Sequence, residues 1–249
     1  MLAYSGGLYD PSDALREFRI LANKGNVPRG ASPGHKNGWG ITCYADGSLK
    51  ELGRQPTNAM TDELYVTASK EAARIKPQIL IAHLRKPSPG IDAISLENTQ
   101  PLQRDSWTFA HNGTIWSPNF RRKNGQSDSI VFFEKLMEIT QNKSDSNKLH
   151  ERIANSVMQL RQNILDNPDS NGKTYSSITF ILSDGKSLYV LRDFKEEQEE
   201  NYYTMYYLQS TDCVLFCQQQ ITPGDWKLLG NRNLAIVDPK NDLEIIRCQ

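Results

Sequence analysis

The chain has 249 residues, 38% of them hydrophobic and 23% charged, enough apolar content for a sizeable core in one large domain or two small ones. Its 29 Lys plus Arg balance 29 Asp plus Glu, so no net field recruits nucleic acid or an anionic membrane. The four cysteines have no Cys-x-x-Cys spacing, no apolar run approaches the ~18 residues of a membrane span, and no basic-then-apolar leader opens the chain; a reducing cytoplasm is the expected compartment.

Met1 to Gly7 reads as a short apolar strand ending in a glycine turn. Asp10-Pro11-Ser12 starts a helix with Leu15, Phe18, Ile20 and Leu21 on its buried side, stopped near Gly25. A Pro- and Gly-rich loop over 26–34 leads into a strand entered through His35 to Tyr44, and Ala45-Asp46-Gly47-Ser48 turns it back on itself. Thr61-Asp62-Glu63 caps a second helix that ends at Lys76-Pro77. Gln78 to Arg85 is a continuous apolar run of strand length, expected to be covered on both faces. It ends in His83 and Arg85, polar groups well placed either for a site or for capping the surface. Lys86 to Gly90 reads as a loop.

Ser106 to Ile115 is a strand, with Trp107 and Phe109 on one face, that breaks at Asn112-Gly113. Asn-Gly is the dipeptide most willing to turn, and an ordinary hairpin is the simple reading. The alternative is chemical: a backbone N–H and a carboxamide exposed side by side could hold an oxyanion. The chain is irregular through Gly125, Ser127-Asp128-Ser129 caps a helix over 130–140, and a further helix spans about 147–165. From Tyr175 onward the pattern is β: 178–182 and 188–192 flank the hairpin turn at 183–186, Glu196 to Asn201 is a solvated acidic loop, and strands follow at 202–208, 213–217, 234–237 and 243–246. With no repeat and no linker-like shift in composition, residues 1–249 are expected to form one α+β domain with two sheets and helices outside them.

Four stretches in this order resemble the class II glutamine amidotransferases, the N-terminal-nucleophile hydrolases. They are His35-x-x-Gly38-Trp39-Gly40-Ile41, Ala82-His83-Leu84-Arg85, Asn98-Thr99-Gln100-Pro101 with Phe109-Ala110-His111-Asn112-Gly113, and Ser127-Asp128-Ser129. The opening Leu2-Ala3-Tyr4-Ser5-Gly6 is similar to the first strand of a stand-alone subgroup. The resemblance implies a four-layer αββα sandwich of two mainly antiparallel sheets. It implies that Arg85 clamps the α-carboxylate of glutamine and Asp128 accepts the α-ammonium. Asn112 and Gly113 would form the oxyanion hole, with Trp39 and His83 shaping the substrate pocket. The implied ligand is glutamine or a γ-glutamyl compound, with no cofactor or metal. Any ammonia-accepting enzyme would be a separate chain, and a homodimer is left open.

The chain departs from the family at the nucleophile. The resemblance implies a cysteine two residues before Met1, whose α-amine serves as general base at an ordinary pKa of ~7.7–8.0. Here the sequence reads Met1-Leu2, without a cysteine in the first 40 residues. Cys43 lies inside a strand and carries no free amine; Ser5 fails likewise. Gln100 stands where the family has a histidine. Either the reading frame begins three residues earlier, or this homologue has lost catalysis and binds a glutamine-like ligand or a partner enzyme. The sequence as it stands is expected to lack glutaminase activity.

Overall fold

The computed structural model describes residues 1–7, 9–88, 94–121, 126–142, 149–195 and 199–248. In chain order the elements are β1 (Leu2–Ser5), α1 (Ser12–Lys24), β2 (Trp39–Ala45), β3 (Ser48–Gln55), α2 (Glu63–Ile75), β4 (Ile79–Leu84), β5 (Leu102–Arg104) and β6 (Trp107–Asn112). They continue with α3 (Asp128–Asn142), α4 (Leu149–Asp166), β7 (Thr179–Ser183), β8 (Leu188–Arg192), β9 (Tyr206–Gln209), β10 (Val214–Cys217), β11 (Lys227–Leu228), β12 (Asn233–Val237) and β13 (Leu243–Arg247).

The strands form two antiparallel sheets, in the orders β11-β9-β10-β1-β4-β2-β3 and β13-β12-β8-β7-β6-β5. Side-chain alternation explains why the central strands are apolar throughout. In β4, Leu80, Ala82 and Leu84 pack outward with Phe18 of α1 and Tyr65 of α2, while Ile79 and Ile81 pack inward against the other sheet. In β7, Phe180 and Leu182 meet Phe132 of α3 and Val157 of α4, while Ile181 faces the sheet interface. Three apolar layers thus bind helix pair, sheet, sheet and helix pair into the αββα sandwich.

Local signals set the element ends. The Asp62 carboxylate caps α2 by accepting from the Leu64 N–H at 2.9 Å, and Lys76 leaves the helix in the left-handed conformation, with φ 47°. Asp46 and Gly47, at φ 53° and 72°, make the tight turn of the β2–β3 hairpin.

Some expectations are corrected. Asn112-Gly113 is not a hairpin turn, because β6 pairs with the preceding β5 and with β7. Ile20 and Leu21 are only half-buried, and Ala14 and Ala22 fill the packed face of α1 instead. The strand expected from His35 begins at Trp39, and the one expected from Tyr202 begins at Tyr206. Residues 89–90 and 122–125, the start of the last helix at 147–148 and residues 196–198 of the acidic loop lie outside the described residues. Among the described residues no helix is long and apolar enough to cross a membrane.

Candidate active site

The ends of β1, β4 and β6 meet in one cavity that opens to solvent. His83, Arg85, Asn112, Gly113 and Asp128 all line it. Strand alternation puts His83 there, two residues beyond the inward-facing Ile81. Arg85 follows directly: its N–H donates to the Gly38 carbonyl at 2.7 Å, and its guanidinium Nη1 donates to the Asn37 carbonyl at 3.2 Å.

The opposite wall is a tied knot of short segments. Gln100 Oε1 accepts from the His111 N–H at 2.6 Å, and Asn98 Oδ1 accepts from the Ser127 N–H at 2.7 Å. The 98–101 segment therefore holds both β6 and the start of α3. Gly40 permits this close approach, since a Cβ there would sit 2.5 Å from the Gln100 carbonyl oxygen. His111 makes the second tie. Its Nε2 lies 3.2 Å from the Ser177 carbonyl and its Nδ1 2.9 Å from Ser129 Oγ. A carbonyl can only accept, so Nε2 carries the proton and Nδ1 accepts from the Ser129 hydroxyl. Burial lowers the pKa of His111, which keeps that neutral tautomer in place.

Asp128 opens α3 and accepts from the backbone N–H groups of Ile115 and Ser129. Burial outweighs these bonds and pushes its pKa up. Gly113 has φ +154°, and a Cβ there would lie 1.8 Å from the Ser177 carbonyl oxygen. Gly113→Ala should therefore destabilise the chain by about 3 kcal/mol or more, read as a drop in the urea midpoint. A midpoint within error of wild type would show that the turn is not held as described.

The N-terminal end of β1 opens into the same space. The Met1 amine donates to Gln218 Oε1 at 2.8 Å, and burial lowers its pKa to about 6. His35, whose Nε2 lies 3.0 Å from the Asn26 carbonyl, is pushed down to about 4, chiefly by burial. His83 is lowered well below its usual value by burial and by nearby cationic groups, and its Nδ1 has no hydrogen-bond partner among the described residues. The cationic side chains on the β4 side of the cavity are thus the Arg85 guanidinium and the neighbouring Lys86, whose Nζ donates to the Ser32 carbonyl at 2.8 Å.

Trp39 does not line the cavity. It points to the helix side of its sheet, where its indole Nε1 donates to Asp62 Oδ2 at 2.9 Å and its ring meets Tyr65 edge-on. None of the four cysteines lines the cavity either; all are free and buried. Among the described residues no group of three His, Cys, Asp or Glu side chains could hold a metal ion. Tyr202 also lines the cavity, and nothing in the sequence near it marked it as a site residue.

The sequence profile of the class-II glutamine amidotransferases matches residues 14–210. An uncharacterized protein of Methanocaldococcus jannaschii is 26% identical over 235 residues, 82% of this chain and 62% of that protein. The putative glutamine amidotransferase YafJ of Escherichia coli is 29% identical over 141 residues, 53% of this chain and 52% of that protein. The chain thus spans less than two thirds of the length of these relatives. In three dimensions it is similar to a glutamine aminotransferase class-II domain protein from Silicibacter pomeroyi, with a TM-score of 0.64 and 15% identity over 100% of this chain and 98% of that one. That likeness speaks for the fold alone, but the profile match covers most of the chain: it belongs to the class-II glutamine amidotransferase family.

Proposed function

We propose that the cavity binds glutamine or a γ-glutamyl amide and presents its side-chain carboxamide for hydrolysis or transfer. The reading rests chiefly on one observation: a guanidinium from the end of β4, a carboxylate from the start of α3 and the Asn112-Gly113 turn meet in one cavity into which β1 opens. Arg85 takes the α-carboxylate through its planar fork, and Asp128 takes the α-ammonium. The Asn112 carboxamide and the Gly113 N–H receive the oxygen that becomes negative when the carboxamide carbon is attacked. The attacking group is a cysteine preceding Met1, as the family resemblance implies. Its thiolate adds to the carbonyl carbon, ammonia or an amine leaves with the thiol proton, and water releases glutamate from the thioester. Ammonia goes to water or to an acceptor. Four unpaired cysteines support a reducing cytoplasm as the compartment.

A second reading is a homologue that binds the same ligand without turning it over. The absence of a cysteine from the cavity lining favours it for the residues present here.

The pH dependence of binding tests the clamp. Only the ionised Asp128 attracts the α-ammonium, and burial raises its pKa. Glutamine affinity should therefore fall on acidification at a pH above the ordinary carboxylate range. Asp128→Asn should bind weakly at neutral pH and lose the part of the pH dependence that Asp128 supplies. Calorimetry between pH 4 and 8 is the measurement; an Asp128→Asn profile identical to wild type would remove Asp128 from the clamp.

A further inference from the structure

Asn112 can serve an oxyanion only if the nitrogen end of its carboxamide faces the substrate, and something must decide which end does. The deciding contact comes from a residue 90 positions along the chain: the Tyr202 hydroxyl lies 3.1 Å from Asn112 Oδ1. Oδ1 can only accept, so the phenol donates, and the amide nitrogen is turned to the other side. We propose that Tyr202 is a positioning residue for the oxyanion-binding carboxamide of Asn112. The inference rests on the reading of Asn112 and Gly113 as the oxyanion hole.

Three observations say that Tyr202 is itself held rather than merely nearby. Its backbone N–H and that of Tyr203 both donate to the Glu199 carbonyl, at 2.8 and 3.0 Å. The two carboxylate oxygens of Glu199 each accept from the Arg29 N–H at 3.1 Å, which fastens the 199–203 segment to the 26–34 loop. The Tyr202 ring also lies nearly parallel to the His35 imidazole, at 11° with centroids 6.4 Å apart, and packs against Tyr203 at 4.8 Å. The phenol is thus delivered to the cavity from a clasped roof, while Asn112 is delivered from the floor by β6. Burial raises the pKa of the phenol, so it remains a donor at any working pH.

A purely space-filling tyrosine would be replaced by phenylalanine without consequence for the shape of the bound ligand. A positioning tyrosine would not, because an unfixed carboxamide spends part of its time with oxygen facing the developing negative charge. The effect should fall mainly on tetrahedral, oxygen-rich ligands and much less on planar ones.

The test compares two ligands on the chain as it exists, by calorimetry: L-glutamine and its tetrahedral analogue L-2-amino-4-phosphonobutanoate, in which a phosphonate replaces the carboxamide. The readout is the ratio of the two affinities in wild type, Tyr202→Phe, Asn112→Ala and the double variant. Tyr202→Phe should shift the ratio against the phosphonate roughly tenfold, lowering phosphonate affinity far more than glutamine affinity. Asn112→Ala should shift it at least as far, and adding Tyr202→Phe to that background should change nothing further, because Tyr202 acts through Asn112. An unchanged ratio in Tyr202→Phe overturns the proposal, as does an equal fall in both affinities or an additive effect in the double variant. If wild type binds neither ligand, the glutamine-site reading itself fails, a result distinct from any of these.

Discussion

Arg85→Ala should lose glutamine binding by roughly 2–5 kcal/mol, about 30-fold at the least and up to several thousand-fold. The size follows from where the guanidinium sits. Arg85 is buried, 4% exposed, in a cavity whose histidines are all driven towards neutrality. Removing it leaves the ligand carboxylate without its bidentate partner, and Lys86 on the same wall is held by the Ser32 carbonyl at 2.8 Å. Arg85→Lys should recover only part of the loss, since an ammonium is a point charge and cannot make two parallel contacts to a carboxylate. The backbone contacts of residue 85 to Gly38 and Asn37 survive both substitutions, so the strand end should stay in place. Calorimetry on the three proteins gives the ranking; equal affinity for all three would place the carboxylate elsewhere.

Extending the chain at its N-terminus with Met-Cys-Arg should produce glutamate release from glutamine, and replacing that cysteine by alanine should reduce the rate by several orders of magnitude. The geometry allows for the added residues. Met1 lies at the cavity wall, and its nitrogen, converted from amine to amide, can still donate to Gln218 Oε1, now 2.8 Å away. The strand register that fixes β1, Leu2 opposite Ala82 and Cys217, begins just beyond that point and need not shift. The new cysteine would carry the free α-amine required of the base, a role that the buried Cys43 cannot fill on its strand. An extended chain that binds glutamine but remains inert would favour the binding-only reading.

Much of this arrangement was legible from residue order. The unbroken apolar run of β4 predicts a strand covered on both faces, the runs of β7 and β8 predict the two arms of a hairpin, and the Asp46-Gly47 turn and the Asp62 cap carry their usual local meaning. Arg85, Asn112, Gly113 and Asp128 come from separate stretches and meet in one cavity. The family resemblance implies a pocket wall at Trp39, which does not line the cavity. Strand alternation held the correction: Trp39 shares its side of β2 with Ile41 and Cys43, which face the helices. Gln100 looked like drift from the family pattern, yet its side chain ties 98–101 to His111. The three-residue β5 is too short to leave a period, and Tyr202 reaches the site through a fold-level clasp with no local signature.

A crystal structure of the chain with L-glutamine bound decides most directly whether this cavity is a glutamine site. The expected complex has the α-carboxylate on the Arg85 guanidinium, the α-ammonium on the Asp128 carboxylate, and the side-chain carbonyl oxygen within hydrogen-bond distance of the Asn112 amide and the Gly113 N–H. Glutamine bound elsewhere, or in this cavity with its carboxamide directed away from Asn112 and Gly113, would contradict it.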